Sequence, residues 1–291
     1  MSVEAKASPQ PPPPALELRE VRGPSATGGG NRRFFELLWL ISATEFKKSF
    51  HGTVFGYVWS LVRPLMLFAV LLVVFTRIIR FGGDVPNYPV MLLFNLVVFG
   101  LFQEGTGAGV GSVLAQEGIV RKTQFPRLVI PLSSVMVALF TVALNLIAVF
   151  AFILIYGVDP MWTWLLLPVI LLLVFVLTCA ASLLLSALNV RFRDIAIIWT
   201  VVAQVLLYAT PIIYPFEFIP PSFLRDVLLA NPFTLIFEQA RVWIIDPTAP
   251  SALDIAGSWL NMLPAAAIYV LTCILGVWVF KREAPKIAER L

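Results

Sequence analysis

The sequence predicts an all-α integral membrane protein with six transmembrane helices, and three observations predict it. Of 291 residues, 59% are hydrophobic and only 13% are charged, against about a quarter charged in soluble domains. The apolar residues are gathered into runs near the roughly 20 residues that a bilayer core requires. Arginine and lysine lie overwhelmingly in alternate connections between those runs, the asymmetry that orients membrane helices.

Taken from the N-terminus, residues 1–30 contain Pro11–Pro14 and Gly28–Gly30 with few apolar side chains. They are expected to form a disordered cytoplasmic tail, because they bury too little surface to fold. A basic start, apolar core and small-residue cleavage site are missing, so the tail does not read as a signal peptide. Residues 31–54 differ. Phe35, Leu38, Trp39, Phe46 and Phe50 fall along one helical side, and Arg33, Glu36, Lys47 and Lys48 along others. This predicts an amphipathic helix lying in the membrane interface.

Six spans are expected at about 56–79, 90–114, 132–156, 162–188, 195–213 and 261–280, with 282–291 as a cytoplasmic C-terminal tail. Arg32, Arg33, Lys47, Lys48, Arg121, Lys122, Arg127, Arg191, Arg193, Lys281, Arg282, Lys286 and Arg290 fall on the N-terminal side. Arg77, Arg80, Arg225 and Arg241 fall on the other. Both termini are therefore expected in the cytoplasm.

Within the second span, Gly105, Gly107, Gly109 and Gly111 give two overlapping GxxxG spacings. They let another helix approach closely, either inside the chain or in a second copy. Glu104 beside them is an ionisable group in or near the membrane, hence a functional candidate unless it reaches an interface. Between spans four and five, Arg191 and Arg193 suit the negative end of one helix, and Asp194 is expected to cap the start of the next.

The stretch 116–131, QEGIVRKTQFPRLVIP, is longer than a connection between helices needs. Arg121, Lys122 and Arg127 surround Ile119, Val120 and Phe125, with Pro126 and Pro131 as punctuation. It reads as a short amphipathic element at the cytoplasmic face, or as a positive-inside loop with buried anchors. In 214–258 two apolar pieces, 221–230 and 232–245, flank Asn231-Pro232, a strong helix start. Each is too short to cross a bilayer, so a re-entrant helical hairpin at about 214–250 is expected. Irregular backbone at that depth survives in protein or beside a cavity, which implies a pathway.

Several chemistries are excluded. No GxxxxGK[ST] loop occurs, and His51 is the only histidine, so neither phosphate-loop ATP hydrolysis nor a His-based triad is available. Asp84, Asp159, Asp226, Asp246 and Asp254 stand singly in outer connections, without the paired carboxylates of a membrane glycosyltransferase. Cys179 and Cys273 lie in apolar runs without metal-ligand spacing and leave the redox compartment open. No metal site, no catalytic residue and no nucleic-acid partner is expected.

These pieces resemble the membrane subunit of ATP-binding-cassette (ABC) exporters that move lipid-linked polysaccharides such as O-antigen, teichoic acid and capsule precursors. The resemblance rests on KKSFHGTVFGYVWSLVRPL at 47–65, VRKTQFPRLVIPLS at 120–133, NVRFRDI at 189–195, TPIIYP at 210–215 and ANPFTLIFEQAR at 230–241. It covers nearly everything after residue 31 and leaves the Pro-rich tail without a counterpart. It implies a homodimer enclosing a channel in a bacterial cytoplasmic membrane, with two separate ATPase subunits docked from the cytoplasm. The chain itself would be no enzyme and hold no cofactor; ATP and Mg would bind the partner subunit. Glu117, Ile119, Arg121, Lys122, Phe125, Pro126 and Arg127 would form the coupling helix on the ATPase. The substrate would be a polyprenyl-diphosphate-linked glycan. Phe55, Tyr57, Trp59, Trp199, Tyr208, Tyr214 and Phe216 would line the channel, aromatic faces suiting sugar rings; an interfacial aromatic belt is the alternative for each. Rival readings are an ABC permease for a drug or small lipid, and a secondary transporter. The latter would carry midplane charges and an internal repeat.

Overall fold

The computed structural model describes residues 30–50, 56–80, 85–118 and 126–290, with side chains from 32 to 49 and up to 284 in the outer segments. Every regular element among them is helical. Five helices are long and apolar enough to cross a membrane.

Helix α1, Gly30–Phe50, ends on Lys47 and Lys48, whose charge suits the carbonyl end of the helix. Trp39 and Phe46 both meet Phe140 edge-on, at 5.4 and 5.6 Å, so the aromatic side of α1 lies partly on a long helix. Helix α2, Val58–Val73, is prolonged by a π turn, Val74–Ile78, and Phe68 is its one buried side chain. Helix α3, Tyr88–Ala115, is the axis of the molecule: Tyr88, Phe94 and Phe99 are wholly buried in it. The chain turns into α3 through Asn87 in the left-handed conformation, φ 53°, which asparagine tolerates better than most residues.

Helix α4, Val129–Ile155, starts directly after Pro126–Leu128, and Pro131 falls in its first turn, where a missing N–H costs no helical bond. A short 3-10 turn, Trp162–Leu166, leads into α5, Leu167–Arg191. α3 is wedged between α4 and α5, and α10 (Trp259–Arg290) lies along α5. α10 stays helical through 282–290, the stretch read from sequence as a tail.

Gly105 and Gly109 explain how close α3 comes to α5. A Cβ at Gly105 would fall 2.6 Å from Thr178, and one at Gly109 would overlap the Ser182 side chain. Gly107 and Gly111 have nothing within 4 Å of that position. One GxxxG pair is therefore spent on internal packing and the other faces open space.

Helix α6, Ile195–Ala209, has 15 residues, about 22 Å at 1.5 Å per residue. The fifth expected span, 195–213, is thus helical only in its first part, and α6 is shorter than the five long helices. It stops because Thr210 precedes Pro211: Thr210 is extended, φ −94° and ψ 141°, as a following proline ring requires. The expected Asp194 cap is corrected. The Asp194 side chain makes no capping hydrogen bond; Asn189 Oδ1 instead accepts the Ala196 N–H at 3.2 Å. Its Nδ2 donates to the Val110 carbonyl at 3.0 Å, tying α3, α5 and α6 at one end.

Two short helices follow, α7 (Phe223–Leu229) and α8 (Pro232–Ile244). They match the two apolar pieces expected there. Asn231 caps α8 by accepting the Phe233 N–H at 3.0 Å, and donates to Thr210 Oγ1 at 2.9 Å. A capping box of Ser251 and Asp254 opens α9, Ala252–Ala256, which stops at Gly257 with φ 68°.

The core has two ends. Val113, Ile130, Ala187 and Phe280 bring together the end of α3, the start of α4 and the ends of α5 and α10. Phe216, Leu228, Leu229 and Ile255 form the opposite end under α7 and α9. The end of α3, the start of α4 with Arg127, the end of α5 with Arg191 and the α10 segment around Lys281 and Arg282 therefore share one end.

Candidate functional site

Two charged side chains lie in the interior of the five long helices among the described residues: Arg63 on α2 and Glu104 on α3. The remaining ones, at Arg77, Arg191 and 281–283, are at helix ends. Arg63 is the sixth residue of α2. Pro64 follows it and has no N–H, which leaves the Ser60 carbonyl one turn earlier without its helical donor. Arg63 and Glu104 line two cavities. One, of about 380 Å3, is bounded also by Ser49, Trp59, Ser60, Ser134 and Thr141. The other, of about 590 Å3, is bounded by Gln103, Gly107, Gln204 and Tyr208 together with apolar residues of α2 and α3. The open glycine of the second GxxxG pair thus belongs to this wall. A third cavity, also about 590 Å3, is lined by Trp199 and almost wholly by apolar groups such as Leu177, Leu206, Phe233 and Ile268.

The expected channel aromatics divide. Trp59 and Tyr208 are half exposed, at 51% and 53%, and border the two polar cavities. Tyr57 is exposed as well, and its ring lies 5.5 Å from that of Phe46 of α1, tilted by 31°. Trp199 is pinned to α3: its indole N–H donates to Thr106 Oγ1 at 2.9 Å, and its ring meets Phe102 edge-on. Tyr214 donates to the Tyr208 carbonyl at 3.1 Å, and burial pushes its hydroxyl pKa up. Phe216 is wholly buried, with the Arg225 guanidinium 5.1 Å above its ring, so it presents no face to a cavity in this conformation. Phe55 lies outside the described residues.

Of the expected coupling residues, Ile119, Arg121, Lys122 and Phe125 also lie outside the described residues. Their neighbours are placed. Glu117 and Arg127 are partly buried and Pro126 is buried. The Pro126 and Arg127 carbonyls accept the Val129 and Ile130 N–H groups, starting α4. Burial lowers the Arg127 pKa.

A second charged cluster anchors the short helices. Arg241 and Glu238, each 3% exposed, sit one turn apart on α8. Arg241 Nη1 donates to Glu217 Oε1 at 3.0 Å and lies 3.6 Å from Glu238 Oε2. Glu238 Oε1 accepts the Phe216 N–H at 2.8 Å. Burial dominates at Glu238 and pushes its carboxyl pKa up to about 7, against the pull of that N–H and of Arg241. In the sequence Arg241 reads as one of the outer-side topogenic charges; folded, it is an internal brace.

Arg63 and its amide and hydroxyl neighbours were not singled out from the sequence. Their signal was present as isolated polar letters inside apolar runs, which a bilayer tolerates only toward protein or water. Among the described residues no group of three or more His, Cys, Asp or Glu side chains could hold a metal, and Cys179 and Cys273 are free thiols.

Known proteins of similar sequence cover most of this chain. The O-antigen export system permease protein RfbA of Klebsiella pneumoniae is 32% identical over 261 residues, 88% of this chain and 95% of that one. The RfbA of Myxococcus xanthus is 27% identical over 248 residues, 85% and 93% of the two chains. The polysialic acid transport protein KpsM of Escherichia coli is 22% identical over 241 residues, 79% and 87%. The profile of the ABC-2 type transporter membrane family matches residues 36–245, and the chain belongs to that family.

Proposed function

We propose that this ABC-2 type permease exports a lipid-linked polysaccharide, carried on a polyprenyl diphosphate, across the cytoplasmic membrane of a bacterium. ATP would be hydrolysed, with Mg, on a separate ATPase subunit. The observation that carries the reading is the polar wall of α2, α3 and α6. Almost no side chain of α2 is buried, yet Arg63, Glu104, Gln204 and Tyr208 on these helices are exposed. Such groups do not face hydrocarbon. A second copy, related by symmetry, would close the wall into a water-filled path. The named relatives, which concern O-antigen export and polysialic acid transport, support a glycan as cargo.

In this reading α1 lies in the cytoplasmic interface and α6 with 210–213 makes a sixth crossing. Residues 214–250 dip back from the outer face as a re-entrant hairpin, and both termini are cytoplasmic. Two ATPase subunits would seat against Glu117, Ile119, Arg121, Lys122, Phe125, Pro126 and Arg127. That stretch joins α3 and α4 directly, and Pro126 restricts how the joint bends. A push there reaches α3, the most buried helix, and moves one face of the polar wall against α2. Trp59 and Tyr208 offer aromatic faces along the path, flat enough to pass sugar rings without holding one tightly.

The test is removal of the chain from its host, with the substitution Phe125→Ala alongside. Loss of surface polysaccharide, together with accumulation of the lipid-linked polymer inside, is the expected result. Phe125→Ala should weaken co-purification of the ATPase by about 1–3 kcal/mol, as loss of a central interface anchor does. Polymer that still reaches the surface without the chain would refute the assignment.

A further inference from the structure

Arg63 and Glu104 stand where the two polar cavities meet: both line the 380 Å3 and the 590 Å3 space, and Ala108 is the only other residue common to the two. The first cavity continues toward the start of α2 through Ser49, Gly56 and Ser60. The second continues toward the helix middles through Leu67, Leu96 and Gly100. Arg63 is five residues from the start of α2 and Glu104 eleven from the end of α3, about 7 and 16 Å along the axes at 1.5 Å per residue. The pair therefore belongs to the half of the bundle that holds the end of α3 and the start of α4.

The two side chains attract each other electrostatically, yet among the described residues neither makes a hydrogen bond to the other or to anything else. The polar groups that share these cavities with them are hydroxyls and amides, Ser60, Gln103, Ser134, Thr141 and Gln204, set among apolar side chains such as Val137, Leu67 and Leu96. A guanidinium has five N–H donors in a planar fork that fits two oxygens of a phosphate. A charged side chain inside a span costs on the order of 2.5–3.5 kcal/mol to insert, so an arginine left with free donors there is kept for something that supplies acceptors. The nearby carboxylate lessens that cost while the site is empty.

We propose that Arg63 and Glu104 form an anion checkpoint on the path, which takes the diphosphate ester linking lipid to sugar as it moves from one cavity to the next. This deepens the proposed export of a lipid-linked polysaccharide and rests on it. Arg63 holds the diphosphate through paired N–H donors. Glu104, across the same junction, repels it and keeps the hold weak. A translocation path needs that balance, because a bound group must enter readily and leave again. The apolar wall around Leu67 and Leu96 accepts the first isoprene units beside the charge. Free diphosphate would meet the same guanidinium without this apolar contact, and so would bind less well.

The experiment uses the full chain purified with its ATPase in lipid nanodiscs. The probe is fluorescent geranylgeranyl diphosphate, competed with geranylgeraniol and with inorganic pyrophosphate. The wild type should prefer the lipid diphosphate over the alcohol by about tenfold or more, as expected for paired charge-assisted hydrogen bonds. Arg63→Gln should abolish that preference and leave alcohol binding unchanged. Arg63→Lys, which keeps the charge and loses the fork, should retain only part of it and serves if Arg63→Gln assembles poorly. Glu104→Gln should act in the opposite direction, tightening the lipid diphosphate by about threefold or more as its repulsion is removed. A preference that survives in both Arg63 variants overturns the checkpoint while leaving the export reading in place. A wild type that binds diphosphate and alcohol alike overturns the lipid-diphosphate reading itself. Pyrophosphate that competes as well as the lipid overturns the lipid-linked ligand.

Discussion

The bundle has a closed side and an open side, and an arginine marks each. On the closed side Arg241 is 3% exposed, hydrogen-bonded to Glu217 and within 3.6 Å of Glu238. Glu238 in turn holds the Phe216 backbone. On the open side Arg63 is exposed, lines two cavities and has an opposing charge but no hydrogen bond among the described residues. The same contrast runs along α3. Gly105 and Gly109 touch α5, while Gly107 borders the polar cavity beside Glu104. A buried charge whose partner set is nearly complete is a structural brace. A charge left reachable in an apolar bundle is held ready for a ligand. The difference teaches that burial and partner count, and not residue type, separate scaffold from site here.

The largest expected effect is on the closed side. Arg241→Ala strands Glu217 and Glu238 together without a counter-charge, and should cost about 3–5 kcal/mol, as removal of one member of a buried pair does. Thermal unfolding in detergent, together with the yield of monodisperse protein, measures it. A variant as stable as the parent would erase the distinction between the two arginines. Glu238→Gln keeps the Phe216 hydrogen bond and should be far milder, since burial already favours its neutral form.

Next in size is the pair of glycine faces. Gly109→Ala drives a methyl into Ser182, whose hydroxyl also reaches the Pro131 carbonyl at 3.4 Å. The expected cost is about 1–3 kcal/mol, typical of overpacking. Gly107→Ala meets nothing within 4 Å and should change stability by less than about 0.5 kcal/mol. If the two alanines destabilise equally, the open face is closed by something else in the membrane, and a second copy packed tightly on α3 becomes the explanation.

Much of this division was legible in the sequence, and the residues say why. The Asn231-Pro232 start and the apolar pieces around it marked two helices, because cap and proline act locally. The five long apolar runs and the Gly105–Gly111 spacings were equally local. Which glycine pair touches α5 was not legible, since it depends on how α3 is rotated against its neighbours. Asn189 took the capping role expected of Asp194 through contacts with α6 and α3, seven and 79 residues away in sequence. The Glu238–Arg241 spacing of one helical turn was visible, but Glu217 joins it only through the fold. Arg63 escaped a count of charges by side because it belongs to no connection. Asking instead which ionisable residues interrupt a span would have found it together with Glu104.

The smallest expected effect is the one that sharpens the comparison most. Arg63→Gln removes a charge that makes no hydrogen bond among the described residues and is not enclosed by protein. Glutamine retains an amide for the surrounding hydroxyls and shortens the side chain into space that is already a cavity. No packing is lost, so the variant should match the parent within about 0.5 kcal/mol, the usual range for changes away from buried features. One contribution opposes this: Glu104 loses its counter-charge. Glu104 is itself exposed to the cavities, and solvent there screens the loss, as it does for exposed pairs. The measurement is the same unfolding series used for Arg241→Ala, run side by side so that detergent and lipid are held constant. Near-equality with the parent, beside collapse of the Arg241 variant, assigns the two guanidinium groups to different tasks. A loss at Arg63 comparable with that at Arg241 would mean that both are braces, and the open side would then have no free charge to offer a ligand.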